Sequence, residues 1–270
     1  MHKHSLGVGL KVVSVSQILI LCILVFSACT TKRPAIDVEE RHKIQSFLNR
    51  FLFVEGAVFS LFGEKPLSAM LIFTGNEHIL AGLSEEELET TVFIDDSIRE
   101  DWQAWKHFAH RVPSKNFVFA ERPCLRDPYH VLYFLMNVER VKEILHRHHL
   151  AFQTKTGARF DSDKVVHEFG NPRSSFWSQV LADHYLTGLL FGYGEENITH
   201  FLDRITDQEG DRQFSDEFDA SATPTKFPIP MFAISSEDKT AARYREQRKR
   251  IQSEYCGKDI VDVTIKRLAN

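Results

Sequence analysis

Two hydrophobic patterns divide this chain. Val12–Cys29 (VVSVSQILILCILVFSAC) is apolar, uncharged and without period, and it follows a short start carrying Lys3 and Lys11. From Ile44 onward, apolar residues recur at helical or alternating spacing, as in elements that bury one face. Ile44, Phe47, Leu48, Phe51, Leu52, Val58 and Phe59 step by three and four and predict a helix over 38–62, broken by Gly63-Glu64-Lys65-Pro66. Leu67 to Thr74 (LSAMLIFT) predicts a buried strand. Ser84 with Glu87 and Ser97 with Glu100 are capping boxes, which open helices over 85–91 and 97–111. Strands follow at 116–121 and 130–135, and Asn137 caps a helix over 138–149.

The remainder mixes helix, strand and loop signals. Ala151 to Thr154 reads as a short strand ended by Gly157. Asn171 before Pro172 is a helix start, and that helix runs to about Phe191, where Gly192-Tyr193-Gly194 stops it and a helix restarts over 195–205. Residues 210–234 are acidic and then proline-rich, and predict an extended loop laid on the surface. Ser235 or Ser236 caps a charged helix to Tyr255; Asp259 to Leu268 alternates enough for a last strand, with a helix as the alternative. The expectation is an α+β fold: a helix-dominated single globular domain over 41–270 with a few short strands. It lies behind a signal peptide or membrane anchor (1–28) and a polar tether (29–40).

The start of the chain sets the address. A basic n-region, an apolar h-region and small residues before a cleavage point make a secretory signal. Phe26-Ser27-Ala28-Cys29 resembles the lipobox of bacterial lipoproteins, in which the cysteine is lipidated and becomes the new N-terminus. Ser27 and Ala28 fit the small positions, while Phe26 stands where leucine is usual. Two other readings stay open. The run's roughly 18 residues lie at the lower limit for a spanning helix, or it is an ordinary signal peptide. Thr30 stands where an aspartate would hold an enterobacterial lipoprotein in the inner membrane, which favours the outer one.

Removing Lys3 and Lys11 from the 33 basic residues leaves 31 against 37 acidic ones, a net charge of −6 on the mature chain. That argues against a nucleic-acid partner, which calls for a basic domain. Of the four cysteines, Cys22 leaves with the signal and Cys29 is the lipidation candidate. Cys124 and Cys256 form a candidate disulfide in an exported protein, with two buried free thiols as the alternative.

Candidate chemistry is sparse. His146, His148 and His149 cluster at a helix end without a cysteine or carboxylate at ligand spacing, so a charged helix terminus explains them without a metal. His107 and His110 sit beside Trp102 and Trp105 on one amphipathic helix. Asp183 and His184, with His130, are the candidate catalytic acid and base; yet His184 falls on the apolar stripe of Trp177, Val180, Leu181 and Gly188, and no G-x-S-x-G nucleophile turn exists to partner it. Gly192-Tyr193-Gly194 precedes a helix, but Glu195 and Glu196 would repel a phosphate there. The acidic run over 203–219 lacks EF-hand order. Arg243 to Arg250 make a basic helix that could lie on an anionic membrane surface or simply dock through Ala241, Tyr244, Ile251 and Tyr255. Phe227, Pro228, Ile229, Pro230, Met231 and Phe232 form a candidate binding segment, because prolines preorganise an extended chain.

Three local patterns stand out: Leu61–Ser68 (LFGEKPLS), Phe191–Asn197 (FGYGEEN) and Lys226–Pro230 (KFPIP). In that order and spacing the chain resembles a family of uncharacterised lipoprotein-like proteins from Chlamydia-like bacteria of the Parachlamydia and Waddlia group. The resemblance implies a Gram-negative intracellular bacterium and carries no catalytic residue or cofactor. The expectation is therefore a membrane-anchored, exported envelope protein that binds or scaffolds, with membrane lipid at its N-terminus and an envelope protein as partner. The alternatives are an exported hydrolase with dispersed acid and base residues, and a secreted protein that acts on a host.

Overall fold

Helices dominate the architecture, but a three-stranded sheet organises it. The structure is a computed structural model that describes residues 36–74, 96–124, 130–207, 219–232 and 238–270. In chain order the elements are α1 (Val38–Asn49), a π-helical turn (Arg50–Val54), α2 (Val58–Leu61), β1 (Leu67–Phe73), α3 (Asp96–Ala109), β2 (Phe117–Pro123) and β3 (His130–Asn137). There follow α4 (Val138–Arg147), α5 (His149–Thr156), α6 (Ser162–His167), α7 (Ser175–Ala182), α8 (His184–Leu190), α9 (Glu195–Asp207), α10 (Lys239–Tyr255) and α11 (Ile260–Ala269). Ile36–Asn270 forms one compact unit, as the α+β reading expects. The unit begins inside the stretch read as a tether, because Asp37 caps α1 through Glu40 N–H at 2.8 Å. The apolar run 12–29, Cys29 and the capping box at Ser84 lie outside the described residues. No helix among the described residues is long and apolar enough to cross a membrane.

The strand order is β1-β3-β2, all antiparallel, with Met70 opposite Tyr133 and Ala120 opposite Phe134. Side chains alternate between the two faces of a strand, and here both faces are buried. Met70, Ile72, Phe117, Tyr133 and Leu135 enter one core with α1, the π turn, α2, α3, α10 and α11. Leu67, Ala120, Phe134 and Met136 enter the other with the helices from α4 to α9. The result is helix–sheet–helix layering. Aromatic edges close the first core: Phe47 and Phe51 pack on Tyr133, whose hydroxyl accepts a 3.0 Å hydrogen bond from Trp105 Nε1.

Five expectations fail, each for a local reason. Ala151 to Thr154 belongs to α5, where Phe152 and Thr156 are buried one turn apart, Thr156 Oγ1 bonds Phe152 O at 2.8 Å, and Gly157 at φ +62° closes the helix. The Asp259–Leu268 strand is instead α11: Asp259 Oδ1 accepts Asp262 N–H, and Ile260, Val261, Thr264 and Leu268 share a helical stripe. The helix read over 171–191 starts only at Ser175, because Asn171 Oδ1 makes a turn to Arg173 N–H, and it breaks at Asp183. The proline-rich end of the loop read as surface is buried, although 220–226 is mostly exposed: Phe227, Ile229 and Phe232 are each less than 5% exposed. The segment is a strap held by α10, with Arg248 Nη1 on Phe227 O (3.2 Å) and Gln252 Nε2 on Thr225 O (2.8 Å). Asp238, rather than Ser235 or Ser236, caps α10.

Candidate functional site

The sequence-predicted acid and base residues do not gather. Asp183 is the N-cap of α8, accepting Leu186 N–H at 2.9 Å and pairing with Lys155 at 2.7 Å. Burial works to raise its pKa, but the Lys155 ammonium and the backbone N–H groups outweigh it and hold the carboxyl below the usual range. His184 is exposed rather than on a core stripe, because the break at Asp183 rotates α8 away from α7. His130 is buried at the start of β3, edge-on to Phe73 at 5.2 Å. His184 lines a groove of ≈ 270 Å³ that contains neither Asp183 nor His130.

The other motifs resolve into structural roles. His148 pairs with Glu195 (3.3 Å) and His149 stacks on Phe160 (4.6 Å), so the histidine cluster is dispersed. No group of three metal-binding side chains is assembled among the described residues. His107 and His110 face solvent while Trp102 and Trp105 are buried. Cys124 is half-buried, Cys256 is exposed, and both are free thiols. In the candidate binding segment, Phe227, Ile229, Pro230 and Phe232 are buried, Pro228 is half-buried and only Met231 is exposed, so as a free contact surface it is corrected. Its backbone and prolines instead wall a cleft.

That cleft is where the three stand-out sequence motifs meet. It has a volume of ≈ 240 Å³, and Lys65 from the first motif, Phe191 and Tyr193 from the second and Pro228 and Pro230 from the third line it. Its floor comes from the π turn. A π turn carries i→i−5 hydrogen bonds and recurs at functional sites; here Glu55 N–H bonds Arg50 O at 3.1 Å. The wider turn brings Glu55 back over Arg50, with Arg50 Nε 4.0 Å from Glu55 Oε1. Gly56, at φ +71°, then redirects the chain into α2.

Lys65 is fixed by its loop. Its N–H bonds Phe59 O (3.2 Å), Pro66 O accepts Asn137 N–H (2.8 Å), and Glu64 N–H bonds Gln247 Oε1 (3.0 Å). Gly63 has no room for a Cβ, which would fall 2.6 Å from Phe59 O. Opposite, Gly192 at φ +72° packs against Pro66, and Tyr244 Oη donates to Gly192 O at 3.1 Å. The strap closes the third side through Phe232 stacked on Tyr193 at 5.3 Å.

The lysine side chain is 5% exposed. Its Nζ lies 5.6 Å from the centre of the Phe191 ring and makes no hydrogen bond or ion pair among the described residues. Burial lowers its pKa to about 8, although the charge of Glu55 works in the other direction. Burial raises the Glu55 carboxyl, against the pull of Arg50 and Lys65. Burial also pushes the Tyr193 phenol up to about 12. Buried charges are ordinarily paired; Lys65 has Glu55 in the same cleft but no direct ion pair with it among the described residues, so its ammonium marks a binding position.

A larger open cleft of ≈ 460 Å³ lies along the other side of the Gly192–Gly194 turn. Its charges satisfy one another: Arg140 with Glu143, His148 with Glu195 and Arg243 with Glu64. Its charged groups of both signs lie open to solvent along a wide cleft, whereas Lys65 is buried, and the smaller cleft is the better candidate. No protein-family model matches the sequence, and no curated protein and no solved structure matches the chain.

Proposed function

We propose that this chain is an exported bacterial envelope protein, tethered to the membrane through a lipidated Cys29, whose domain acts by binding through the Lys65 cleft. The tether rests on the apolar run 12–29 ending in Ser27-Ala28-Cys29. The envelope setting rests also on the likeness of three motifs to proteins of Chlamydia-like bacteria. The observation that carries the binding role is the buried Lys65 ammonium, placed where those motifs converge with Glu55 nearby but no ion pair or hydrogen bond to it among the described residues. Binding is favoured over hydrolysis because Asp183 is engaged as a helix cap and an ion pair, and His130 and His184 stand on separate elements.

The tether is tested by feeding an alkyne-modified fatty acid to bacteria that express the full chain. Label should enter the wild type and be absent from Cys29→Ala, which should leave the membrane fraction if it is processed or stay as an uncleaved precursor. Labelling that persists in Cys29→Ala would remove the lipoprotein reading.

A further inference from the structure

The geometry points to a small amphipathic monocarboxylate as the ligand of the Lys65 cleft, with its carboxylate on the Lys65 ammonium and its alkyl body along Phe191, Tyr193 and Met231. The inference rests on the reading of this cleft as the binding site. Charge selects the head group. Among the described residues, the charges at the cleft are Glu55, which lies 4.0 Å from Arg50, and Lys65, one cation beyond that pair. One net positive charge in a desolvated site balances one negative charge. A doubly charged phosphate would leave an uncompensated anion facing Glu55. The ammonium is a point charge with three donors, which suits a carboxylate that has room for its own approach.

The walls select the body. Besides Lys65 and Glu55, the cleft is lined by aromatic, proline, methionine and aliphatic side chains. Phe191, Tyr193 and Met231 also line the adjoining groove of ≈ 270 Å³, which Ile198, Phe201 and Phe232 make apolar. An alkyl chain that starts at Lys65 therefore has a continuous apolar path over that shared wall. Each space is at or below the low end of small-molecule sites, roughly 300–1,000 Å³, so the ligand is short rather than a two-chain lipid. Met231, half-exposed at the rim, can adapt to chain length through its flexible thioether.

Affinity should depend on pH in two steps. Among the described residues, the groups that face the ammonium are Glu55 and, behind it, Arg50 from the π turn, and Tyr193 from the α8–α9 turn; the described strap residues at the cleft bring none. Binding should weaken as the pH rises through about 8, where Lys65 loses its proton. It should strengthen as the pH falls through the titration of Glu55, which burial raises above the usual carboxylate range, and be lost again once the ligand's own carboxylate takes up a proton. Tyr193 stays neutral across that range.

The test is a titration of the purified protein with octanoate, 1-octanol and octyl phosphate, read by calorimetry and by the methyl resonance of Met231. The inference expects saturable binding of octanoate, a loss of about tenfold to a hundredfold in Lys65→Met, the scale of a charge-assisted hydrogen bond, and near-retention in Lys65→Arg. Folding of both variants is checked by their unfolding transitions. Octanol should bind wild type and Lys65→Met alike. Equal octanoate affinity in wild type and Lys65→Met would overturn the inference. Binding of octyl phosphate in preference to octanoate would overturn the carboxylate assignment while leaving the cleft as a binding site. If no probe binds and the Met231 resonance does not move, the binding role of the cleft falls with the inference.

Discussion

Replacing Lys65 with methionine should stabilise the protein. The stem of Lys65 is packed and its charge is buried without a direct partner. Its pKa falls from 10.5 to about 8 on folding. Each unit is worth about 1.36 kcal/mol, so holding the ammonium at neutral pH costs the fold about 3 kcal/mol. Methionine keeps most of the volume and removes the charge. Some of the gain is lost because Glu55 then keeps only Arg50 as a neighbouring cation among the described residues, so a net gain of about 1–3 kcal/mol at pH 7 is expected.

The pH dependence gives an independent sign. Between about 8 and 10.5 the unfolded chain holds a proton that the folded chain has released, so the wild type gains stability as pH rises. Below that window both states are protonated and the full penalty applies. The buried Tyr133, Tyr193, Tyr244 and Tyr255 have raised pKa values and weaken both proteins near pH 10. The readout is therefore the difference between the two proteins. Urea unfolding of wild type and Lys65→Met at pH 7 and pH 10 should show the variant ahead at pH 7 and most of its advantage gone at pH 10. A variant that is less stable than wild type by 1 kcal/mol or more at pH 7 would refute the claim, since it would mean that the ammonium is satisfied in the fold.

Further outcomes follow from the same contacts. Gly192→Ala must hold a left-handed φ of +72° and place a Cβ 2.5 Å from Tyr244 Oη; a loss of about 2–4 kcal/mol is expected in chemical denaturation. Arg122 is 5% exposed and donates to Phe169 O (3.2 Å) and Asn171 O (2.7 Å), with no carboxylate partner among the described residues. Arg122→Met should cost about 1–3 kcal/mol by the same assay, since two carbonyls lose their donor while a buried cation is removed. Cys124 and Cys256 should both alkylate without reductant, giving two additions by mass spectrometry of the mature chain's tryptic peptides; recovery of a Cys124–Cys256 cross-linked peptide would contradict the free thiols.

How much was legible in the sequence follows from what each signal measures. The β1 and β3 runs and the capping of α4 by Asn137 were readable, because burial on both faces makes a strand continuously apolar and a cap is a local contact. α11 was not, because its β-branched residues alternate at 261, 263 and 265 as well as forming a helical stripe, and the bond that decides is the cap of Asp259 on Asp262 N–H. The strap was misread because its polar and proline content resembles a surface loop. Its burial depends on Phe53, Phe59 and Tyr244, which are remote in sequence and pack on Phe227 and Phe232. Lys65 carried no sequence signal of its own. It lies in a Gly-Glu-Lys-Pro turn that reads as solvent-exposed, and only the packing of Gly192 against Pro66 and of the strap across the gap buries it. The convergence of the three stand-out motifs on one cleft is the part that sequence order hid.

The most direct measurement is a structure of the protein with octanoate bound. The account predicts a carboxylate oxygen within about 3 Å of Lys65 Nζ, with the alkyl chain against Phe191, Tyr193 and Met231. Density for octanoate elsewhere, or with its carboxylate turned to solvent and its chain on Lys65, would contradict it.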